Sequence, residues 1–334
     1  MSKTIFKTFL KIAFAPFLWL LHSCSPLGEP VDKELSSNHY YSPSKDDIIY
    51  SSGGNWLNLG RQEMHTDVKS FEVLNRFFGR DKKGVYFKAN RIENSILDAN
   101  SFYTKSGDYP SYVGYDKEHV YIFTEKYKSG TNTVITKIVE NADPESYVGI
   151  NPDWAKDRSN HFYHGTKVDI AYDSFKILND YFVRDSSHVY VKANQTFTLL
   201  ECDQASFRIF QNTYHGMDKT YIYWLPFLTR GKKTPIAIPH MRIEKINYMN
   251  NYYLSIGSKV YCDGTLMPGV NSEKFSLVRN AYGKDEAHVY YKGAIVPDAD
   301  AATFEKRGFI IVDKNGRYEK GKIVGPVPEN IDDK

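Results

Sequence analysis

Cysteine is scarce in this sequence. Its three copies, Cys24, Cys202 and Cys262, form no Cys-x-x-Cys motif and no cysteine–histidine pattern with zinc-site spacing, which excludes the common structural zinc sites. The phosphate-loop, Gly-x-Ser-x-Gly, His-Glu-x-x-His and dinucleotide-binding signatures are absent as well, so the large enzyme classes that they mark are excluded. An exported protein allows a Cys202–Cys262 disulfide. Two buried thiols are the alternative, and both stay open.

The sequence also has almost no excess charge. Lys3, Lys7 and Lys11 are the only charged residues before position 25, and the rest of the chain has 40 basic and 40 acidic residues. A balanced chain without long runs of one sign lacks the electrostatic footprint of a nucleic-acid-binding protein. We therefore expect no nucleic-acid partner.

Long apolar runs are missing too, and the longest one lies at the N-terminus. It covers ten residues, Ile12 to Leu21, behind a basic start. This is too short to span a bilayer and is typical of a secretory signal peptide. The following Leu21-His22-Ser23-Cys24 resembles the bacterial lipoprotein box, which implies cleavage after residue 23 and acyl chains, palmitate among them, on Cys24. An ordinary signal peptide is the alternative.

The lipoprotein interpretation predicts where the protein resides. Several acyl chains on Cys24 would give stable membrane anchoring, and Ser25 in the next position implies export to the outer membrane if the host is Gram-negative. Residues 24–45 are rich in serine, proline and charge, which predicts a flexible tether. We expect a folded region over residues 46–325 and a C-terminal tail over 326–334.

Tyrosine and phenylalanine, in contrast, are abundant. The 26 tyrosines and 20 phenylalanines favour sheets, in which rings pack across strands. An apolar–tyrosine pair recurs along the chain at steps of 27 to 42 residues, which indicates about nine repeats. The pairs are Ile49-Tyr50, Val85-Tyr86, Val120-Tyr121, Phe162-Tyr163, Val189-Tyr190, Ile222-Tyr223, Val260-Tyr261, Val289-Tyr290 and the degenerate Arg317-Tyr318.

Each repeat predicts one antiparallel meander. A first strand, such as Ser174 to Val183, ends in an aspartate that favours a tight turn. The tyrosine strand follows and ends in a second reversal. A short strand and a single capped helical turn with the pattern Asp-x-x-Ser-aromatic complete the unit. The turn aspartates are Asp81, Asp116, Asp157, Asp185, Asp218, Asp285 and Asp313, and the second reversals are Ala89-Asn90, His164-Gly165, Ala193-Asn194, Asp263-Gly264 and Lys292-Gly293.

The predicted fold is therefore mainly β, built from tandem meander units with single capped helical turns. An elongated array and a propeller-like closure both fit the repeats, and nine unequal units without a closing signature favour the array slightly. Within one tyrosine strand, alternation places Val85 and Phe87 on one face and Tyr86 on the other. For the adjacent tyrosines Tyr290 and Tyr291, we expect one to be buried and one to lie outside.

The repeat signatures resemble those of the bacterial DKNYY repeat family. The best matches are Tyr282 to Phe304, with "KDEAHVYYKG" and "ADAATF", and Tyr115 to Phe123 with Glu140 to Tyr147. The resemblance covers about residues 46–325. It implies a repetitive, β-rich and often exported protein without an established activity, and therefore no catalytic residues.

Two recurring residue types could in principle bind metals. His119, His161, His188 and His288 share one repeat position, and stacked imidazoles can bind Zn²⁺ or Cu²⁺. The repeated aspartates suggest Ca²⁺, which needs six or more oxygen ligands. We interpret the histidines as half-exposed residues at strand starts and the aspartates as turn formers. We thus identify no catalytic, cofactor-binding or metal-ligating residues, and Cys24 is the only site residue.

Three functions remain after these exclusions. A noncatalytic binding module at the cell envelope, with a protein or glycan partner, is the first, and a row of exposed tyrosines could form its surface. An immunity-type protein that neutralises a toxin is the second. An envelope enzyme that acts on glycan is the third.

Overall fold

The structure is a computed structural model, and it describes residues 25–106, 112–128, 131–193, 196–226, 234–241 and 244–328. The predicted signal peptide, Cys24 and the second-reversal residue Asn194 lie outside the described residues. No helix in the described part of the chain is long and apolar enough to cross a membrane. The chain divides into two compact units, Met1–Asp169 and Ile170–Lys334.

The first unit contains four small antiparallel sheets, which follow one another along the chain. Sheet 1 consists of β1 (His39–Tyr41), β2 (Ile48–Tyr50) and β3 (Gln62–Glu63); sheet 2 of β4 (Glu72–Val73), β5 (Phe78–Asp81), β6 (Gly84–Phe87) and β7 (Asn90–Arg91); sheet 3 of β8 (Val113–Tyr115), β9 (Val120–Lys128) and β10 (Thr131–Ile138); sheet 4 of β11 (Val148–Gly149), β12 (Trp154–Lys156), β13 (His161–Tyr163) and β14 (Thr166–Val168).

The second unit contains five sheets of four strands. Sheet 5 consists of β15 (Lys176–Ile177), β16 (Phe182–Arg184), β17 (Val189–Ala193) and β18 (Thr196–Leu200); sheet 6 of β19 (Arg208–Ile209), β20 (Gly216–Met217), β21 (Tyr221–Trp224) and β22 (Ile236–Pro239); sheet 7 of β23 (Ile246–Tyr248), β24 (Tyr253–Ile256), β25 (Lys259–Cys262) and β26 (Thr265–Asn271); sheet 8 of β27 (Ser276–Arg279), β28 (Tyr282–Lys284), β29 (Val289–Tyr291) and β30 (Ala294–Ile295); sheet 9 of β31 (Glu305–Arg307), β32 (Ile310–Asp313), β33 (Gly316–Glu319) and β34 (Lys322–Gly325).

Helical structure among the described residues is limited to single turns: one α-helical turn, α1 (Trp56–Leu59), and two 3-10 turns, Ser52–Gly54 and Tyr172–Ser174. Every sheet among the described residues is an open meander in which consecutive strands pair, and none of these sheets closes into a barrel. The prediction of a mainly β chain of about nine tandem meander units is confirmed.

The predicted first strand of each unit is wrong in one respect, because it consists of two strands. In sheet 5 the segment 174–183 forms β15 and then the start of β16, with Asn179 between them. The Asn179 side-chain oxygen accepts the backbone N–H groups of Tyr181 and Phe182, both at 2.9 Å. An asparagine that captures amides two and three residues ahead forms a turn. Asn75, Asn151 and Asn250 make the same pair of bonds.

The second reversals largely follow the prediction. His164-Gly165, Asp263-Gly264 and Lys292-Gly293 all have positive φ at both positions, as two-residue hairpin turns of the primed types require. Sheet 5 differs, because Ala193 is the last residue of β17 and pairs with Thr196. Sheet 2 differs as well, because Phe87 pairs with Asn90. Lys88, at φ 54°, therefore provides the reversal there, and Asn90 begins β7.

Both faces of the central strands are buried, because consecutive sheets within a unit share a hydrophobic core. Val85 and Phe87 pack with Phe102 and Phe123 towards sheet 3, whereas Tyr86 packs with core residues of sheet 1. The predicted alternation is thus confirmed. The expected external row of second aromatics is absent from most of the described sheets, since the residue after the repeat tyrosine is usually covered by a neighbouring sheet. Phe87, Val191, Trp224 and Cys262 are all buried there. Sheet 8 is closer to the prediction, because Tyr290 is buried and Tyr291 only half-buried.

Part of the segment expected to be a flexible tether belongs to the first sheet. Residues 39–41 form β1, which pairs with β2, and the Gly28 N–H donates to the Tyr41 carbonyl at 2.9 Å. His39 is fully buried, and Ser36 Oγ contacts its Nδ1 at 2.8 Å. The folded region therefore begins before residue 46, since β1 pairs with β2 and His39 is buried.

Candidate functional site

The turn aspartate accepts several hydrogen bonds in each of the seven sheets that have one, sheets 2 to 6, 8 and 9. In sheet 3, one carboxylate oxygen of Asp116 accepts the backbone N–H groups of Glu118 and His119, at 2.8 and 2.7 Å. The other oxygen accepts the Tyr121 hydroxyl at 2.6 Å and the Asp98 backbone N–H at 3.1 Å. The carboxylate is 99% buried, and four donors compensate its desolvation. We call this set of bonds the interlock.

The tyrosine bond of the interlock recurs in six sheets with the same five-residue spacing. Because the buried carboxylate oxygen needs a further donor, the bond explains why a buried strand has tyrosine where phenylalanine would pack equally well. The pairs are Tyr86–Asp81 (3.1 Å), Tyr121–Asp116 (2.6 Å), Tyr190–Asp185 (2.8 Å), Tyr223–Asp218 (2.7 Å), Tyr290–Asp285 (2.7 Å) and Tyr318–Asp313 (2.9 Å).

In five of the seven turns, the backbone bond of the interlock joins the turn to the capped turn that precedes it in the chain. The donor is the N–H of the second repeated aspartate, which caps that turn. The donor and acceptor pairs are Asp67–Asp81 (2.5 Å), Asp98–Asp116 (3.1 Å), Asp143–Asp157 (3.1 Å), Asp203–Asp218 (2.9 Å) and Asp300–Asp313 (2.6 Å). The turn aspartate therefore fixes a hairpin and a connection together, which is more than a turn former does.

The basic residue after the turn aspartate has a partner as well. In sheet 6, Lys219 Nζ lies 2.6 Å from the carboxylate of the capping Asp203, and the Lys219 N–H donates to Ser206 Oγ at 3.0 Å. The hydrogen bonds from Lys219 and Ser206 lower the pKa of Asp203 to about 2. Equivalent ion pairs join Lys82 to Asp67, Lys117 to Asp98, Arg158 to Asp143 and Lys314 to Asp300.

Burial and hydrogen bonding act in opposite directions on the turn aspartates. Burial alone raises the pKa of Asp116, but the bonds from Tyr121 and from three backbone amides outweigh it and hold that pKa below its usual range. Asp157, Asp185, Asp218 and Asp285 show the same balance. For Tyr121, burial and then the adjacent carboxylate raise the pKa far above its usual range. The interlock thus holds an ionised aspartate against a neutral phenol.

The aromatic residue that ends the capped turn requires a small residue opposite it. A Cβ at Gly114 would overlap the ring of Phe102, and the same conflict exists between Gly79 and Phe71, Gly216 and Phe207, and Gly283 and Phe275. The glycine two residues before the turn aspartate therefore leaves the space that this ring occupies. With it, every repeated element of the signature has a structural role.

Sheet 4 departs from the rule and corrects one predicted pair. Five residues after Asp157 comes Phe162, which is fully buried, so Phe162 and not Tyr163 occupies the tyrosine position. In place of the hydroxyl, the Asn160 side chain donates at 3.3 Å to the Asp157 carboxylate oxygen that also accepts the Asp143 N–H. Because Asn160 occupies the turn position of His119, His161 is not a member of the predicted histidine set.

The histidines of the remaining set are not brought together. His119, His188 and His288 each lie beside the turn aspartate of their own hairpin, at 3.5, 3.8 and 3.9 Å. His161 instead lies in the buried strand β13, and burial lowers its pKa. The structure therefore places each imidazole at its own sheet.

The turn aspartates have little capacity left for a calcium ion, since their oxygens already accept N–H and O–H donors. A different cluster was missed by the sequence patterns: single ligand atoms of Asp47, Glu63 and His65 lie within 4.8 Å of one another. Its Asp47 carboxylate accepts the backbone N–H groups of Ile48, His65 and Thr66 and the Thr66 hydroxyl. We therefore interpret this cluster as structural: Asp47, just before β2, fixes the backbone that follows β3 and leads to the next repeat.

The two described cysteines are not joined. Cys202 and Cys262 are both free, which decides between the two alternatives in favour of separate thiols. Burial raises the pKa of Cys202 to about 11 and that of Cys262 to about 12. Neither thiol is activated as a nucleophile, which would require a lowered pKa.

One position at the rim of each sheet is usually aromatic and incompletely buried. It lies in the turn that leads into the central hairpin, and we call these residues the edge positions. In sheets 2 to 9 they are Phe77, Tyr112, Asp153, Tyr181, Tyr214, Tyr252, Ala281 and Phe309. Six of the eight are aromatic. The exposed fraction is 37% at Tyr112, 39% at Tyr181 and 79% at Phe309. Two further exposed tyrosines, Tyr127 at 72% and Tyr221 at 39%, lie in β9 and β21.

A cavity opens where the aromatic edge positions are interrupted. Sheet 8 has Ala281 at this position, and a cavity of about 350 Å³ lies beside it. Tyr252 and Phe309, the edge positions of sheets 7 and 9, both line it. Tyr291 and Arg279 line it as well. The edge positions have no repeat signature in the sequence, and aligning the chain on the turn aspartates would have revealed them.

A larger groove of about 830 Å³ lies in the first unit and is lined by Arg61, Lys83 and Arg91. Two of these cations already have partners, because Lys83 Nζ donates to the His65 carbonyl at 2.8 Å and Arg91 pairs with Glu93 at 2.7 Å. Glu63 adds a negative charge to the same wall. The groove therefore offers less unbalanced charge than its composition suggests.

Comparison with known proteins gives one match. The model of the DKNYY family matches residues 41–194, 154–280 and 267–322. Together these segments cover most of the chain and contain every interlock described above. No curated protein and no solved structure matches the chain.

Proposed function

We propose that this protein, which belongs to the DKNYY family, is a noncatalytic binding module held at the cell envelope by acyl chains on Cys24. The binding surface in this proposal is the series of aromatic edge positions. The repeats supply the framework, and the turns at the rim of the sheets supply the contacts.

The interlock supports a noncatalytic role. The repeated aspartates, tyrosines, serines and lysines are the groups that an enzyme could use as acid, base or nucleophile. In each interlock they bond to one another or to backbone amides, as Asp116, Tyr121 and Asp98 do. The raised pKa values of Cys202 and Cys262 point the same way.

The edge positions are the observation that favours binding. Six of eight are aromatic although no interlock bond needs an aromatic ring there. Aromatic side chains give large contact areas at a low entropic cost, and their exposure on a surface typically indicates an interaction site. The basic residues Arg76 and Lys192 lie over the rings of Phe77 and Tyr181, at 4.5 and 5.9 Å, which adds polar donors beside apolar faces.

Envelope anchoring can be tested on its own. If Cys24 is acylated, the wild-type protein sediments with membranes, and the Cys24→Ala variant moves to the soluble exported fraction. In a Gram-negative host we propose the outer membrane as the destination, because Ser25 follows the cysteine. Membrane retention of the Cys24→Ala variant would contradict the anchor.

Binding is tested with the purified chain immobilised on beads and presented with solubilised envelope polysaccharide. We expect retention by the wild type and its loss in a Tyr181→Ala/Phe309→Ala double variant. A Leu199→Ala/Ile323→Ala double variant is the matched control, since both leucine and isoleucine are exposed and lie outside the edge positions. Turnover of the polysaccharide would favour an enzyme. Stoichiometric capture of one toxin protein without polysaccharide would favour the immunity-type role.

A further inference from the structure

We infer that the cavity beside Ala281 is a saccharide-binding site that prefers sugars with a carboxylate. This inference rests on the proposed binding function and names the ligand class of one place on its surface. The argument depends on three features of the cavity: aromatic walls, unbalanced positive charge, and a size suited to one or two sugar rings.

The walls of the cavity include aromatic residues from three sheets. Tyr252 belongs to sheet 7 and Phe309 to sheet 9, and the small Ala281 lies at the edge position between them. Tyr291 also lines the cavity, with its ring 4.7 Å from that of Tyr282. The C–H groups on one face of a pyranose ring stack on such apolar ring surfaces.

Phe309 is poorly explained by packing. Its side chain is 79% exposed, the largest value for a large hydrophobic residue among the described residues. Its backbone is nevertheless held, because the Arg279 guanidinium donates to the Phe309 carbonyl. The Phe309 ring is thus exposed to solvent while its backbone is fixed. Such a ring is pre-organised for a ligand, which lowers the entropic cost of binding.

Positive charge exceeds negative charge in the cavity wall. Arg279, Arg317 and Lys320 line it together with one carboxylate, Glu319. Arg317 is only weakly paired with Glu319, at 3.9 Å, and its Nε is buried without a hydrogen-bond partner among the described residues. A buried donor without an acceptor is costly, and a planar guanidinium fits a carboxylate with two parallel bonds.

Sheet 4 shows that an interrupted aromatic series is not sufficient for a site. Its edge position is Asp153, which pairs with His164 at 3.5 Å. There the polar side chain is engaged within its own sheet. At Ala281 the missing side chain leaves a volume of about 350 Å³, which falls within the range of small-ligand pockets.

The test uses isothermal titration of the full folded chain with tri-galacturonic acid, and with maltotriose as a neutral probe of equal length. We expect tri-galacturonic acid to bind at least about tenfold more tightly than maltotriose, a difference of about 1.4 kcal/mol. Phe309→Ala and Arg317→Gln should each weaken binding of the acidic probe at least about fivefold. Tyr127→Ala is the matched control, because Tyr127 is 72% exposed and lies in the first unit.

The outcomes separate this site from the proposed function. Equal affinity for the two probes would overturn the preference for carboxylates. Unchanged affinity in Phe309→Ala and Arg317→Gln would overturn the location. If neither probe binds while the chain still retains envelope polysaccharide through Tyr181, the site is wrong and the binding function stands. If polysaccharide retention is absent as well, both fail.

Discussion

Sheets 3 and 4 use different side chains to donate to a buried turn aspartate. Both bury a turn aspartate, Asp116 or Asp157, to at least 98%. Sheet 3 supplies the fourth donor from the hydroxyl of Tyr121, whereas sheet 4 has Phe162 there and takes the donor from Asn160. The comparison teaches that the fold needs a donor to the carboxylate and an aromatic ring in the core. A single tyrosine usually supplies both.

Acid should act on both sheets at once and give the largest effect. Hydrogen bonds hold the pKa of Asp116, and likewise that of Asp157, below the usual value near 3.8. A lowered folded-state pKa gives stability that is present above the unfolded pKa and lost as the pH falls through the folded one. We therefore expect the urea midpoint to be constant from pH 7 to 5 and to fall steeply below pH 4. A constant midpoint down to pH 3 would contradict the interlock as an ionised network.

Removing one carboxylate should give the next largest effect. Asp116→Ala leaves the amides of Asp98, Glu118 and His119 and the Tyr121 hydroxyl without their acceptor, and we expect it to lower the free energy of unfolding by more than about 3 kcal/mol. Urea unfolding followed by tryptophan fluorescence measures it. Glu118→Ala, a change at an exposed neighbouring side chain, is the control and should cost less than about 0.5 kcal/mol. Similar losses in both variants would argue against a special role for Asp116.

Exchanging the aromatic residues of the two sheets sharpens the comparison. Tyr121→Phe removes one of four donors to Asp116, and we expect a loss of about 1–2 kcal/mol with faster hydrogen exchange at the Asp98 amide. Phe162→Tyr adds a hydroxyl where Asn160 already donates, so it should change stability by less than about 1 kcal/mol. If the two substitutions have equal and opposite effects, Asn160 does not replace the tyrosine.

The exposed ion pairs should give the smallest effect. Lys117 lies 3.8 Å from Asp98 in sheet 3, and Arg158 lies 2.7 Å from Asp143 in sheet 4. Surface pairs contribute little, so Lys117→Ala and Arg158→Ala should each cost less than about 1 kcal/mol in urea titrations at low salt, with Arg158→Ala the larger. A loss above 2 kcal/mol would mean that the pair is part of the interlock's core.

The sequence predicted the repeat, the turn aspartates and the alternation of Val85, Tyr86 and Phe87, because these follow from local spacing. It did not predict the bond from Asp98 to Asp116, since that contact joins positions 18 residues apart through a backbone donor. Aligning Tyr163 with the other tyrosines was wrong for a related reason. Tyr163 has the expected residue type, but only the structure of the turn shows that Phe162 occupies the tyrosine position.

The candidate surface was harder to foresee than the framework. The edge positions share aromatic character but no fixed motif, and the cavity exists because Ala281 lacks a ring that its neighbours Tyr252 and Phe309 have. An external row of tyrosines was expected from alternation alone, and that inference failed because both faces of most described central strands are covered.

Burial on both faces has a consequence for the order in which the chain acquires its structure. As the polypeptide emerges during synthesis, a newly completed sheet can pack only on the preceding sheet. Phe87 therefore stays exposed until Phe102 and Phe123 of the next repeat have been synthesised. Folding should therefore proceed from the N-terminus, and the most recently folded sheet should expose one apolar face. This exposed apolar face is the surface that a chaperone would recognise at each stage.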